Sequence, residues 1–200
     1  IRFVKRHRDS FDDIPVTFFE ATTALAFWYF KKSSVDIAVI ETGLGGRLDS
    51  TNVLSSNLAV ITPIALDHQH LLGRDLRKIS REKGGIIKYK IPVVIAPQDQ
   101  NAAHVLQEIS SQNKSTCYFV KSPTVLKTDW RKMETRFRIN EITYTIPFLG
   151  SHQAVNAATA IQSVSTYDST ISTSIIKKGL DKIIWPGRLQ KLDKTYPIFY

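Results

Sequence analysis

A carboxylate, a histidine and a lysine stand out in this sequence because each falls near the end of an apolar run or a helix. Glu41 directly follows the run Asp36–Ile40, and Thr62, Asp67 and His68 follow the run Leu58–Ile61. Both runs are short and rich in Val, Ile and Ala, which predicts strands buried on both faces, as in a parallel sheet. Ligands of open α/β sheets bind beyond the carboxyl ends of such strands. Between the runs lies GLGGRLDSTN. Gly43, Gly45 and Gly46 can take backbone angles closed to other residues, and Arg47, Asp49, Thr51 and Asn52 supply charge and hydrogen bonds. Lys83 stands just ahead of Gly84 and Gly85. A carboxylate, an imidazole and an amine around one crevice suit a metal or phosphate site. Each alone suits an ordinary role equally well: Glu41 paired with an arginine, His68 in packing, Lys83 on a solvated helix face. The pattern by itself leaves both readings open.

Familiar nucleotide templates do not apply. GLGGRL has Leu48 where the third glycine of G-x-G-x-x-G would stand, and no helix obviously starts there. G-x-x-x-x-G-K-[ST] occurs nowhere in the 200 residues.

The elements that must position these residues follow from pattern. Ile1–Ile14 reads as an irregular, basic surface segment. Thr17-Phe18-Phe19-Glu20 is a capping box that opens a helix with its body at Glu20–Lys31; its Ala24, Leu25, Phe27, Trp28 and Phe30 predict packing across a sheet face. A polar helix is expected over about Arg74–Lys88, with Leu76, Ile79, Ile86 and Ile87 inward. Gly84 and Gly85 interrupt it, at about 1 kcal/mol each relative to Ala, which points to a close approach by another segment or to a bent helix end. Pro92–Ala96 and Ser115–Val120 predict further strands around a helix at Asn101–Gln112. This alternation argues α/β with a mainly parallel sheet. Phe137, Ile139, Ile142, Tyr144 and Ile146 then alternate about Asn140-Glu141 as a hairpin. Helices at His152–Thr166 and Ser172–Lys182 follow. Trp185-Pro186-Gly187-Arg188 marks a boundary, with strands expected at Leu189–Leu192 and Ile198–Tyr200.

Composition bounds the function classes. The apolar share of 42% supports a sizeable core, and the single cysteine, Cys117, excludes an internal disulfide and fits a reducing compartment. No apolar run reaches the length of a spanning helix, and no signal-peptide pattern opens the chain. The net charge of +9 fits either a generally basic protein or an anionic partner. Its clusters, Lys5–Arg8, Arg74–Lys90 and Arg131–Arg138, carry no interleaved aromatic stripe of a nucleic-acid binder.

Several motifs occur together in one order: TFFEATTALAFWYF, ETGLGGRLDSTN, ITPIALDH, LLG, EKGGIIK, GSHQAVNAATA and WPGRLQ. Together they resemble folylpolyglutamate synthase and the related bifunctional dihydrofolate synthase, of the Mur ligase superfamily. The resemblance runs from about Thr17 to Arg188, with the stretch Asn101–Thr143 contributing little. Gly84 stands where the family commonly has Ala, and Ser50 where Ala is frequent; both are small-for-small departures.

The resemblance implies the fold of a P-loop NTPase-like ligase ATPase domain: a mainly parallel sheet flanked by helices, with a β-hairpin. Residues 1–185 would form this domain, incomplete without its N-terminal P-loop part. Residues 186–200 would form a linker and the first strands of a C-terminal α/β ligase domain. The chain therefore reads as a fragment, inactive by itself, with a glycine-rich phosphate loop expected upstream of Ile1. The implied enzyme is an ATP-dependent acid–amino-acid ligase that joins L-glutamate to a pteroate or folate carboxylate through an acyl phosphate. Another Mur-type ligase and a non-catalytic basic polyanion-binding module are the alternatives.

By resemblance, Glu41 and His68 are Mg²⁺ ligands, and Lys83 is the lysine that carries a carbamate; the three form the catalytic set. Asn156 and Arg188 are similar to nucleotide-contacting residues, and Thr17, Phe19, Asp49 and Ser50 to pteroate-binding positions. The implied cofactors are ATP and Mg²⁺, with room for a carbamylated Lys83 and a monovalent cation. The expected partners are small molecules (dihydropteroate or folate, L-glutamate, ATP), with neither nucleic acid nor membrane, for a cytoplasmic monomer.

Overall fold

A computed structural model describes residues 1–66 and 75–187. His68 and Arg188 lie outside the described residues, as do the strands expected beyond Arg188. The chain begins with α1 (Arg2–Arg6) and α2 (Arg8–Asp13), where an irregular segment was expected. The correction has a physical reason: Phe3 is an anchor. It is buried, and its ring lies 5.6 Å from Trp28 and 5.9 Å from Phe11. The basic residues on either side of it stay in water.

The capping box forms as predicted. Thr17 Oγ1 accepts from the Glu20 N–H at 3.2 Å while the Glu20 carboxylate accepts from the Thr17 N–H at 2.7 Å, opening α3 (Phe18–Ser33). The expected packing of α3 across a sheet face does not occur among the described residues. Thr23 is its only buried residue, and α3 instead meets a 3₁₀ turn at Ser50–Val53 and, through Trp28, the Phe3 ring. The reason lies in the next segment. Residues 35–40 take no strand assignment, and Val39 is 92% exposed. An apolar run becomes a strand only when a neighbour accepts from its N–H groups and donates to its C=O groups, and none is paired with this one among the described residues.

The parallel sheet is built from β1 (Ala59–Ile61), β2 (Val93–Ile95) and β3 (Cys117–Phe119), in that order. Ala59, Val60 and Ile61 pair with Val93, Val94 and Ile95, which pair in turn with Cys117, Tyr118 and Phe119. Only the central β2 is buried on both faces; in β1, expected to be so, Val60 is partly exposed. The helices of one face are α4 (Leu76–Gly84), capped by the Asp75 carboxylate on the Arg77 N–H, and α5 (Gln100–Gln112), capped by Asp99 on Asn101. Ile79, Ile87, Val93, Ile95 and Leu106 make that half of the core.

On the other face, Val94 joins a second core with an antiparallel sheet and two helices. The sheet is β4 (Thr124–Asp129), β5 (Glu134–Ile139) and β6 (Ile142–Ile146); the helices are α6 (Ser151–Tyr167) and α7 (Thr173–Asp181). The predicted hairpin turn is present. Asn140 and Glu141 both take positive φ, 46° and 61°, as a tight turn between right-twisted strands requires. β4 was not foreseen, because its residues are largely exposed and carry little apolar alternation.

Candidate active-site pocket

The glycine-rich turn is held from two sides. Asp49 clasps it from within: Oδ2 accepts from the N–H groups of Gly43 and Leu44 at 2.9 and 3.0 Å, and Oδ1 accepts from the Thr51 N–H and hydroxyl at 2.9 and 2.6 Å. All four acceptor positions of the carboxylate are in use. Partial burial works against the charged form, but the Thr51 hydroxyl and the N–H groups of Leu44, Thr51 and Gly43 outweigh it and hold the Asp49 carboxyl below the ordinary aspartate range. The folded pKa is thus depressed, so this clasp contributes above the unfolded carboxylate pKa and is lost as pH falls through the folded one. In an NMR titration, the Asp49 carboxyl should therefore move together with the Gly43 and Leu44 amide protons, at a midpoint below that of an ordinary exposed aspartate. A midpoint at or above that value would show that the clasp is not formed in solution.

From outside, the turn abuts the C-terminal end of α4. The Arg47 N–H donates to the Glu82 carbonyl at 2.8 Å, and Arg47 also holds the Glu82 carboxylate through Nε and Nη2 at 3.2 and 3.0 Å. Asn52 Nδ2 donates to the carbonyls of Arg47 and Gly85 at 3.0 and 3.1 Å, and Lys88 Nζ donates to the Asn52 carbonyl at 2.9 Å. The helix expected to run to about Lys88 instead ends at Gly84, and the two glycines at its end allow a close approach by other segments. A Cβ on Gly85 would lie 2.5 Å from Arg47 Cα, one on Gly46 would lie 2.8 Å from the Glu82 carbonyl oxygen, and one on Gly84 would strike Ile109 Cδ1 of α5 at 2.6 Å.

The N-terminus of α3, residues 44–50 of the turn, and Lys78, Arg81 and Glu82 of α4 enclose an open pocket of about 660 Å³. Thr17, Phe19, Asp49 and Ser50, which the sequence separates by up to 33 positions, all line it. The Phe19 ring rests on the Gly43 backbone, where a Cβ would meet Cζ at 2.5 Å. Ser50 Oγ shares a 3.2 Å hydrogen bond with Thr23 Oγ1, which ties the turn to α3. The sequence reading missed Lys78 and Arg81. Their i, i+3 spacing on a polar helix was the signal available, and it is also the mark of any solvated helix face.

The remaining site residues are not gathered into this pocket. Glu41 is exposed, follows the extended segment 35–40, and makes no hydrogen bond or ion pair among the described residues. Lys83 is half-buried in the last turn of α4. Asn156 is exposed on α6 and donates to Gln153 Oε1 at 3.3 Å. No group of three His, Cys, Asp or Glu side chains converges among the described residues. Glu41 is thus a single free carboxylate, a donor set that fits Mg²⁺, which binds through one or two carboxylates together with waters and substrate phosphates. No helix among the described residues is long and apolar enough to cross a membrane.

A parallel α/β core with a loop-built pocket at the helix ends defines a class, α/β domains of the open-sheet type, and comparison with known proteins narrows it. The chain belongs to the Mur ligase middle domain family, which matches residues 14–164, and to the folylpolyglutamate and dihydrofolate synthase group within that superfamily. Folylpolyglutamate synthase of Lacticaseibacillus casei is 37% identical over 195 residues, covering 92% of this chain and 45% of the relative. Dihydrofolate synthase/folylpolyglutamate synthase of Bacillus subtilis (strain 168) is 34% identical, with the same coverages. The apo form of L. casei FPGS superposes with a TM-score of 0.85 at 35% identity, covering 96% of this chain and 49% of that one. An FPGS–AMPPCP–folate complex gives 0.84 at 35%, again over 96% and 49%. The chain spans about half the length of the relatives it matches.

Proposed function

We propose that the protein carrying this chain is an ATP-dependent ligase that joins L-glutamate to the carboxylate of a pteroate or folate, as a cytoplasmic monomer acting on small molecules. The observation that supports this reading is the assembly of Thr17, Phe19, Asp49 and Ser50, the four expected pterin contacts, around one pocket. Phe19 offers an aromatic face, and Asp49 holds the turn that forms the opposite wall. A carboxylate is a poor electrophile. Its oxygen attacks the γ-phosphorus of ATP, ADP leaves, and the glutamate amine then displaces phosphate from the acyl phosphate to form the amide. Charge builds on the phosphoryl oxygens during both steps, and fixed cations stabilise it.

When bound, Mg²⁺ held by Glu41, with His68 and a carbamylated Lys83, would neutralise that charge, and a monovalent cation would add to that effect. The carbamate forms by attack of the neutral Lys83 amine on CO₂ with loss of a proton, which turns a cation into an oxygen-bearing anion. Asn156 and Arg188 serve the nucleotide. Residues 1–185 form the ligase's central domain, and 186–200 lead into the next.

The test is an assay of the full-length protein with ATP, labelled glutamate, and either dihydropteroate or a reduced folate. The expected result is one ADP released per amide formed, with hydroxylamine trapping the acyl phosphate as a hydroxamate. ATP-independent product, or no product with either acceptor, would overturn the proposal.

A further inference from the structure

The charges around the pocket do not balance in kind, and the imbalance points to a ligand group. Three carboxylates line it, and each is already engaged. Glu20 accepts from the Thr17 N–H and hydroxyl, both at 2.7 Å; Asp49 has its four donors; Glu82 is held by Arg47 at 3.0 Å. Arg47 is committed by the same contact. Lys78 and Arg81 remain. Both are exposed, they lie three residues apart on one face of α4, and neither has an ion-pair partner among the described residues. The pocket therefore offers two cations with no bonded partner among the described residues, while each of its three carboxylates already has a donor.

Given the ligase reading above, on which this inference rests, the reacting carboxylate belongs with Glu41 and Lys83. Neither of those lines the pocket. Lys83 stands two residues beyond Arg81, about 200° around the helix, and so leaves from the opposite face. A carboxylate met by Lys78 and Arg81 is then a second, non-reacting one. Pteroate has a single carboxylate, whereas each glutamyl residue of a conjugated folate adds one. We infer that Lys78 and Arg81 form a recognition subsite for the non-reacting carboxylates of a glutamyl tail, so that this pocket favours glutamylated folates over pteroate.

The experiment compares equilibrium binding of pteroate and pteroyl-triglutamate to the full-length protein, by calorimetry without ATP, for wild type, Lys78→Gln, Arg81→Gln, the double variant and Arg81→Lys. The expected result is tighter binding of the triglutamate in the wild type. That advantage should fall about fivefold with each neutral substitution, the range of exposed ion pairs, survive in Arg81→Lys, and shrink as KCl is raised. An advantage that persists in the double variant, or an equal loss of both ligands, would overturn the subsite. A protein that shows the charge-dependent advantage but no ATP-dependent glutamylation would refute the ligase reading and leave the subsite standing. One that ligates but shows no such advantage would refute the subsite alone, and one that binds neither ligand would refute both.

Discussion

Replacing Glu41 by Gln is expected to lower kcat of the full-length protein by about 100-fold or more, equivalent to about 2.7 kcal/mol of barrier, while leaving its stability within about 0.5 kcal/mol of wild type. The two halves of this expectation come from different observations. Glu41 is exposed and makes no hydrogen bond or ion pair among the described residues, so its removal strands no partner. Its exposed place directly after segment 35–40 leaves the carboxylate open to solvent and so to a metal ion. The amide keeps the shape and one weak oxygen ligand but removes the charge that a hard dication requires. Lys83→Ala should behave alike, with partial recovery when a short carboxylic acid is added to stand in for the carbamate. Steady-state kinetics beside urea denaturation separates the effects. Retention of more than about a tenth of kcat in Glu41→Gln would remove Glu41 from the metal site.

Gly85→Ala is expected to destabilise the protein by about 2–3 kcal/mol, the range of an overpacked interior contact. The new methyl would sit 2.5 Å from Arg47 Cα, and main chain cannot rotate aside as a long side chain can. The strain falls on the latch itself. The Arg47 N–H to Glu82 carbonyl bond, the Arg47–Glu82 ion pair and the Asn52 to Gly85 carbonyl bond all cross this junction. The pocket wall should loosen with it, so binding of a pteroate should weaken in parallel. Gly179→Ala provides the contrast. Gly179 lies in α7, and a Cβ there would meet nothing within 4 Å. That substitution should stabilise by up to about 1 kcal/mol through helix propensity. If urea midpoints of the two variants shift alike, steric contact at Arg47 is not what makes Gly85 necessary.

Much of this protein is legible in the sequence wherever the determinant is local. The capping box at Thr17 and Glu20, the hairpin at Asn140-Glu141 and the fully buried β2 each follow from a few adjacent residues. Periodicity also placed α5, α6 and α7 to within a residue or so of their observed ends. The motif order identified the family, which the match over residues 14–164 bears out.

What the sequence alone misjudged depended on a partner distant in the chain. Residues 35–40 have the composition of a buried strand yet stay exposed, because ladder hydrogen bonds need a neighbouring strand that composition cannot name. The outward position of α3 follows from the same lack, and Phe3 organises the first helices only because Trp28 is there to receive it. Gly84 and Gly85 were legible as a break, but only the fold shows that one admits Ile109 and the other the Arg47 backbone. The pocket is the clearest case. Asp49 and Glu82 are both ordinary carboxylates in sequence, and their engagement by the turn amides and by Arg47 leaves Lys78 and Arg81 as the free charges. Asp49 is spent on donors within six residues of it, but Glu82 is spent on Arg47, 35 residues away, and no local pattern records that contact.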